Sequence, residues 1–322
     1  MKVLIAGIGG IGGWMAGALA RGGADVSLFA RGVTLERLQR DGLTLTSDKE
    51  TETFKIPAFG AIDGAQNFDV VILCAKSQDF PAISASLAPL FLAGLEVIAA
   101  VNGLPWWFLG DCGMELESID PGARAAAILH EVVPVGAVVH ASSHAVEPGV
   151  VRTVKADRLI LGEVPGYPSQ HVRALAADFE KGGIKAPVVG NIREEIWAKL
   201  WGNMNMNPIS ALTRLSSLPI LEQPELCRLV YEMMNEFDSI GRKLGIALPV
   251  SADDRIEITK KLGDFRTSMY ADAVAQRRLE HEGILGCVVE LAQKLGVDAP
   301  VSRIVYALLK GLDTSFVRAG DS

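Results

Sequence analysis

Lys199, Asn203 and Asn207 recur every fourth residue in the stretch 191–208. On an α-helix each lies about 40° around the axis from the last, so the three form one polar ridge. An ammonium group can donate a proton or stabilise developing negative charge, and amides can hold a polar ligand through hydrogen bonds. Ile196, Trp197, Leu200, Trp201 and Met204 border the ridge. A solvated face would mix Glu, Lys and Gln, whereas amides beside a lysine and two tryptophans point to a walled pocket. In the competing reading the ridge faces water and Glu195 pairs with Lys199 one turn on. His130, His140, His144, His171 and His281 show no ligand spacing, and none stands out as an acid–base residue. Their silence moves a proton-transfer role to the lysine.

A helix must present that ridge. Asn191 followed by Glu194 reads as an N-cap with its reciprocal partner, and Pro208 is expected to stop the helix. Further on, residues 267–280 add a small hydroxyl, Ser268, and a carboxylate, Glu280. Taken alone, Glu280 beside Arg277 and Arg278 reads as a solvated charge cluster.

A second constellation opens the chain. Residues 2–6 form a short β-prone run leading into Gly7-Ile8-Gly9-Gly10-Ile11-Gly12, which fits G-x-G-x-x-G, and helical and strand-like segments follow at 14–21 and 25–30. In that context the pattern is a dinucleotide fingerprint. The first glycine permits a tight turn, the second lets backbone approach a pyrophosphate, and the third lets the helix pack on the strand. The second strand ends Phe29-Ala30-Arg31, with no carboxylate to take a free ribose 2′-hydroxyl. A guanidinium pairs with a 2′-phosphate, so NADP(H) is favoured over NAD(H), the alternative being Arg31 as an ordinary surface cation. Lys76 follows the buried strand 69–74, and Asn102-Gly103 follows the strand 96–101. Ligands of such sheets bind outside the carboxyl ends of the strands.

Between 126 and 162 the texture changes to short strands and turns, expected to form an antiparallel extension of the sheet. After Asn191 the strand signal ends, and helical patterns run over 225–244, 252–262, 267–278, 282–295 and 301–312. The expected organisation is an α/β domain over 1–190 and an all-α domain over 191–322.

Bulk properties narrow the function. The 322 residues carry a net charge of −7, and a pI near 5.4 argues against a nucleic-acid partner. A mean hydropathy of +0.27 leaves room for a buried subunit interface, hence an expected homodimer. The scattered Cys74, Cys112, Cys227 and Cys287 fit a reducing, cytoplasmic setting without a metal site. The apolar stretch 83–101 is interrupted by Pro89, Gly94 and Glu96 and reads as helix, turn and strand, so no membrane span is expected.

Taken together, G-x-G-x-x-G, Arg31, Lys76, Asn102-Gly103, W-x-K-L-x-x-N-x-x-x-N-P and S-M-x-x-D with Glu280 eight residues after Asp272 resemble the ketopantoate reductase (2-dehydropantoate 2-reductase) family. The resemblance implies an N-terminal Rossmann-type domain, mostly parallel with an antiparallel extension. With it comes an all-α C-terminal domain of 6-phosphogluconate-dehydrogenase-like architecture. It further implies NADPH/NADP+ as cofactor and a small 2-oxo acid as substrate. Lys199 would be the general acid; Asn203, Asn207 and Ser268 would hold the substrate; Asn102 would lie by the nicotinamide and substrate. Glu280 would serve catalysis or anchor ligand or cofactor, Arg31 and Lys76 would grip the 2′-phosphate, and Ala137 after Gly136 would meet the cofactor through its backbone. Trp106-Trp107 and Gln276, where the family often has glycine, depart from the pattern and bear on the exact substrate. The leading expectation is NADPH-dependent reduction of ketopantoate to pantoate. The alternatives are a related dehydrogenase of another branched 2-oxo or hydroxy acid, and a non-catalytic NADP(H)-binding regulator.

Overall fold

A computed structural model describes residues 1–62, 66–92 and 94–320. The chain forms two compact units. The first comprises Met1–Val101, Pro105–Gly113 and Gly122–Glu195; the second takes Asn102–Leu104, Met114–Pro121 and the chain from Ile196 onward.

In the first unit, β1 (Lys2–Ala6), α1 (Gly10–Arg21), β2 (Asp25–Phe29) and α2 (Gly32–Asp41) precede a hairpin of β3 (Leu43–Thr46) and β4 (Thr51–Phe54). There follow β5 (Ala58–Phe59), β6 (Val70–Leu73), α3 (Phe80–Leu87), β7 (Glu96–Ala99) and the short α4 (Arg124–Ile128). The long strands β8 (Val133–Glu147) and β9 (Val150–Glu163), then α5 (Val172–Lys181) and β10 (Val188–Val189), complete it. All the strands join one 10-stranded sheet in the order β4-β3-β9-β8-β7-β6-β1-β2-β5, with β10 on β9. β2, β1, β6 and β7 pair in parallel. Because β2 and β6 flank β1 on opposite sides, the strand order reverses at β1, where such sheets leave a crevice beyond the strand ends.

Period-two alternation feeds two cores. Val3 and Ile5 join Trp14, Leu19, Leu175 and Phe179 on one face of the sheet. Leu4 and Ala6 join Phe80, Leu87, Ala125 and Leu129 on the other. Burial on both faces accounts for the unbroken apolar runs of β1 and β6. The region expected to hold several short strands is instead α4 and one long antiparallel hairpin, β8 with β9. Register shifts between His140 and Ala141, Ser142 and Ser143, and Ala145 and Glu147 explain the difference. Each bulge swaps the face of the following side chains and breaks the alternation into pieces.

The second unit is helical from α6 (Ile192–Thr213), which enters it at Ile196. Then come α7 (Ser217–Glu222), α8 (Pro224–Lys243), α9 (Ala252–Lys261), α10 (Ser268–Val274), a π-helical turn at Glu282–Gly286, α11 (Cys287–Leu295) and α12 (Pro300–Gly320). The helix α8 lies against α7, α9, α11 and α12 and buries Val230, Met233, Met234, Phe237 and Ile240, an i, i+3, i+4, i+7 stripe.

Two expectations about α6 need correction. Pro208 does not stop it: the helix continues to Thr213. Met204, Met206, Ile209 and Ala211 are buried on either side of the proline. That packing outweighs the local penalty of roughly 3 kcal/mol for a helical proline. At the other end Asn191 directly precedes the helix, and its Nδ2 donates to Glu194 Oε1 at 2.8 Å, so the expected pair meets through its side chains. The tryptophans do not wall a pocket. Trp197 stacks on Phe237 with centroids 4.0 Å apart, and Trp201 Nε1 donates to the Met234 carbonyl at 3.2 Å. Two residues from Lys199 in either direction is about 160° around the helix, so both rings anchor the face opposite the ridge.

Among the described residues no helix is long and apolar enough to cross a membrane. Nor does any group of His, Cys, Asp or Glu there have the arrangement to hold a metal ion.

Candidate active site

Each unit brings together part of the expected site. In the first, Gly7 sits at φ +93°, and a Cβ there would lie 2.9 Å from the Cys74 carbonyl carbon. A Cβ on Gly12 would meet the Gly7 carbonyl oxygen at 2.1 Å, so α1 can approach β1 only with glycine at that position. Gly9 differs: a Cβ there would meet nothing within 4 Å. Its open face, at the N-cap of α1 with no capping side chain, is where a pyrophosphate could meet backbone N–H groups. Gly10 abuts the Ser143 carbonyl, while Ile8 and Ile11 pack into the core.

Arg31 follows β2 and is itself the N-cap of α2. Its guanidinium lies 5.6 Å from the Phe29 ring centroid and donates to Ser86 Oγ on α3, a partner no local motif announces. Lys76 follows β6 in extended backbone, as the N-cap of a short 3-10 turn at Ser77–Asp79. Ala137 is buried in β8 opposite Leu161. Gly136 beside it makes room for Ile192, whose Cγ1 would lie 2.3 Å from an added Cβ. Trp106 stacks on Phe80 at 5.6 Å and packs against the core on that face of the sheet.

In the second unit the ridge is not a wet face. Asn207 is buried, and Asn203 and Lys199 are half-buried. The half-buried Lys199 sits where burial disfavours its charged form. Burial pushes its pKa down from the ordinary 10.5 to about 8, and the Glu280 carboxylate raises it part of the way back. Glu280, which looked like a surface charge, is thus the anion that acts on Lys199. It also accepts a hydrogen bond from Asn102 Nδ2 at 3.4 Å. Gly103 makes that approach possible: at φ +111°, a Cβ there would come within 2.0 Å of the Gly283 carbonyl oxygen in the π-helical turn.

Ser268 opens α10 and is exposed. Thr267 before it caps that helix through Tyr270 N–H at 3.0 Å and hydrogen-bonds Ser210 of α6 at 2.6 Å, tying the two helices together. Asp272 accepts from Arg277 Nε at 2.8 Å. The turn it closes holds Gln276 at φ +53°, a left-handed conformation that glycine adopts more easily. Such a backbone gives a physical reason for glycine to be favoured at that position. Lys199, Asn102 and Glu280 therefore form one polar group, with Asn203 and Asn207 extending it along α6. Such a group can deliver a proton to an oxygen that gains negative charge and hold the polar substituents around it.

Comparison with known proteins places this arrangement. The ketopantoate reductase PanE/ApbA model matches residues 3–166, and its C-terminal counterpart matches residues 191–313. A 2-dehydropantoate 2-reductase of Mesorhizobium japonicum is 36% identical over 321 residues, covering 97% of this chain and 98% of that protein. A crystal structure of a candidate ketopantoate reductase from Ralstonia solanacearum MolK2 superposes with a TM-score of 0.90 at 34% identity, covering 98% of each chain. That of 2-dehydropantoate 2-reductase from Methylococcus capsulatus gives 0.84 at 27% identity, with 98% of each chain covered. With both units matched and their order kept, the chain belongs to the ketopantoate reductase family.

Proposed function

We propose that this chain reduces a 2-oxo acid, ketopantoate to pantoate, with NADPH as the reductant. The observation that carries the reading is the desolvated Lys199 ammonium, poised near pKa 8 under the influence of Glu280, on the same helix as Asn203 and Asn207. A non-catalytic NADP(H)-binding regulator would need the glycine turn and Arg31 but not this group.

The nicotinamide supplies hydride to the carbonyl carbon when bound; the remaining work belongs to the protein. Lys199 stabilises the developing alkoxide and donates its proton. Asn203, Asn207 and Ser268 hold the substrate's hydroxyl and carboxylate, and Asn102 orients it beside Glu280. The open face at Gly9 and the Gly7–Gly12 contact support a pyrophosphate at the start of α1. Arg31 and Lys76 provide cations for a 2′-phosphate.

The test is a screen of 2-oxo acids in which NADPH absorbance is followed. Ketopantoate is expected to give the highest kcat/KM among branched and unbranched candidates. A different branched 2-oxo acid at the top would reassign the substrate, and no turnover with any 2-oxo acid would sink the reading.

We also propose a two-fold homodimer, supported by exposed apolar side chains such as Ile304 and Leu308 on α12 and by the apolar composition. Light scattering at micromolar concentration is expected to give twice the monomer mass of 34.3 kDa; the monomer mass would contradict it.

A further inference from the structure

Glu280 lies in irregular backbone between α10 and the π-helical turn, with its carbonyl bonded into the turn that follows. Its neighbours are tied down on both sides. Asp313, in α12, is only 4% exposed. Its Oδ1 accepts the Leu279 N–H at 2.7 Å, and its Oδ2 lies 3.4 Å from Arg278 Nε and 3.9 Å from His281 Nδ1. The His281 ring nitrogen Nδ1 also stands 3.2 Å from the Leu279 carbonyl oxygen. After Glu280, the Ile284 N–H donates to the Glu280 carbonyl at 3.2 Å. Tyr306, on α12 like Asp313, donates its hydroxyl to Glu282 at 2.7 Å, and Lys310 Nζ reaches the same carboxylate at 3.6 Å. A buried carboxylate is retained only where partners offset its desolvation. Among the described residues, the partners of Asp313 belong to the segment carrying Glu280, which it contacts at residues 278, 279 and 281.

We propose that Asp313 is a positioning residue for the reaction: it fixes the backbone from which Glu280 reaches Asn102 and Lys199. The inference rests on the proposed role of Glu280. A misplacement of about 1 Å in such a group lowers efficiency by as much as a hundredfold. Asp313→Ala is therefore expected to lower kcat/KM for ketopantoate with NADPH by about tenfold to a hundredfold.

The discriminating measurement is a double-mutant cycle in the full-length enzyme with Glu280→Gln. If Asp313 acts through Glu280, Asp313→Ala should cost less than about twofold once the Glu280 carboxylate is gone. The pH profile provides a second readout that a merely structural role would leave alone. Displacing the Glu280 carboxylate removes its upward influence on Lys199, so the alkaline limb of kcat/KM should move to lower pH in Asp313→Ala. If Asp313→Ala does not yield folded protein, Asp313→Asn carries the same cycle and pH profile. It preserves the volume and an acceptor for the Leu279 N–H and is expected to retain more activity than alanine. An undiminished loss in the Glu280→Gln background, or an unmoved alkaline limb, overturns the positioning role while leaving Glu280 in place. Full activity in Glu280→Gln alone overturns the role of Glu280 and this inference with it.

Discussion

Lys199→Ala is expected to lower kcat by about 10²–10⁴-fold, the range for removal of a positioned proton donor. The ammonium acts where negative charge develops on the carbonyl oxygen, so its loss falls on the transition state more than on ground-state binding. NADPH affinity is expected to change little, since the glycine turn and Arg31 remain intact. The pH dependence adds an independent check with a defined sign. Burial depresses the Lys199 pKa to about 8, and the protonated form is the donor. The kcat/KM profile should therefore be level below that pH and fall as pH rises through about 8, well below an ordinary lysine. Glu280→Gln removes the charge that raises this pKa, so the fall should begin at lower pH. If Lys199 were only a partner for Glu195 on a wet helix face, its removal would affect stability by under about 1 kcal/mol and turnover would survive. Near-normal kcat in Lys199→Ala would refute the mechanism.

The way this site is built shows why some of it was legible in the sequence. The glycine turn is a local device: Gly7, Gly9 and Gly12 do their work within one strand–turn–helix, and their spacing declares it. The ridge of α6 is equally local, since helical geometry alone aligns Lys199, Asn203 and Asn207. What the sequence hid depends on residues far apart in the chain. Pro208 reads as a stop until the burial of Met204, Ile209 and Ala211 is known. Trp197 and Trp201 look like pocket walls until Phe237 and Met234 of α8 claim them. Glu280 looks solvated because Arg277 and Arg278 are its neighbours in sequence. In the fold those arginines turn to Asp272 and Asp313, and Glu280 turns to Asn102 and Lys199. The bulges of the long β8–β9 hairpin break its alternation into pieces that read as separate short strands. The helix α2 gave little apolar signal because Leu38 is its only fully buried side chain.

For the cofactor, NADPH is expected to bind more tightly than NADH, and Arg31→Ala to remove most of that preference. Arg31 stands just past the end of β2, where such folds meet the adenosine ribose, and no carboxylate is present there to take a 2′-hydroxyl. Its guanidinium rests over Phe29 and donates to Ser86, so part of its rotamer entropy is already lost before a ligand arrives. As the N-cap of α2 it also stands beside first-turn N–H groups that receive no side-chain cap, and these favour an anion at the same place. Loss of a charge-assisted hydrogen bond is worth on the order of 1.5–3 kcal/mol, or about tenfold to a hundredfold in Kd. The loss should fall on NADPH alone, because NADH lacks the phosphate and so gains nothing from the guanidinium. Calorimetric titration of both dinucleotides into the parent and variant proteins separates the outcomes. Equal affinities for NADPH and NADH in the parent would remove the basis for NADP specificity. A parallel weakening of both in Arg31→Ala would make Arg31 a general support for the dinucleotide instead of the residue that reads the 2′-phosphate.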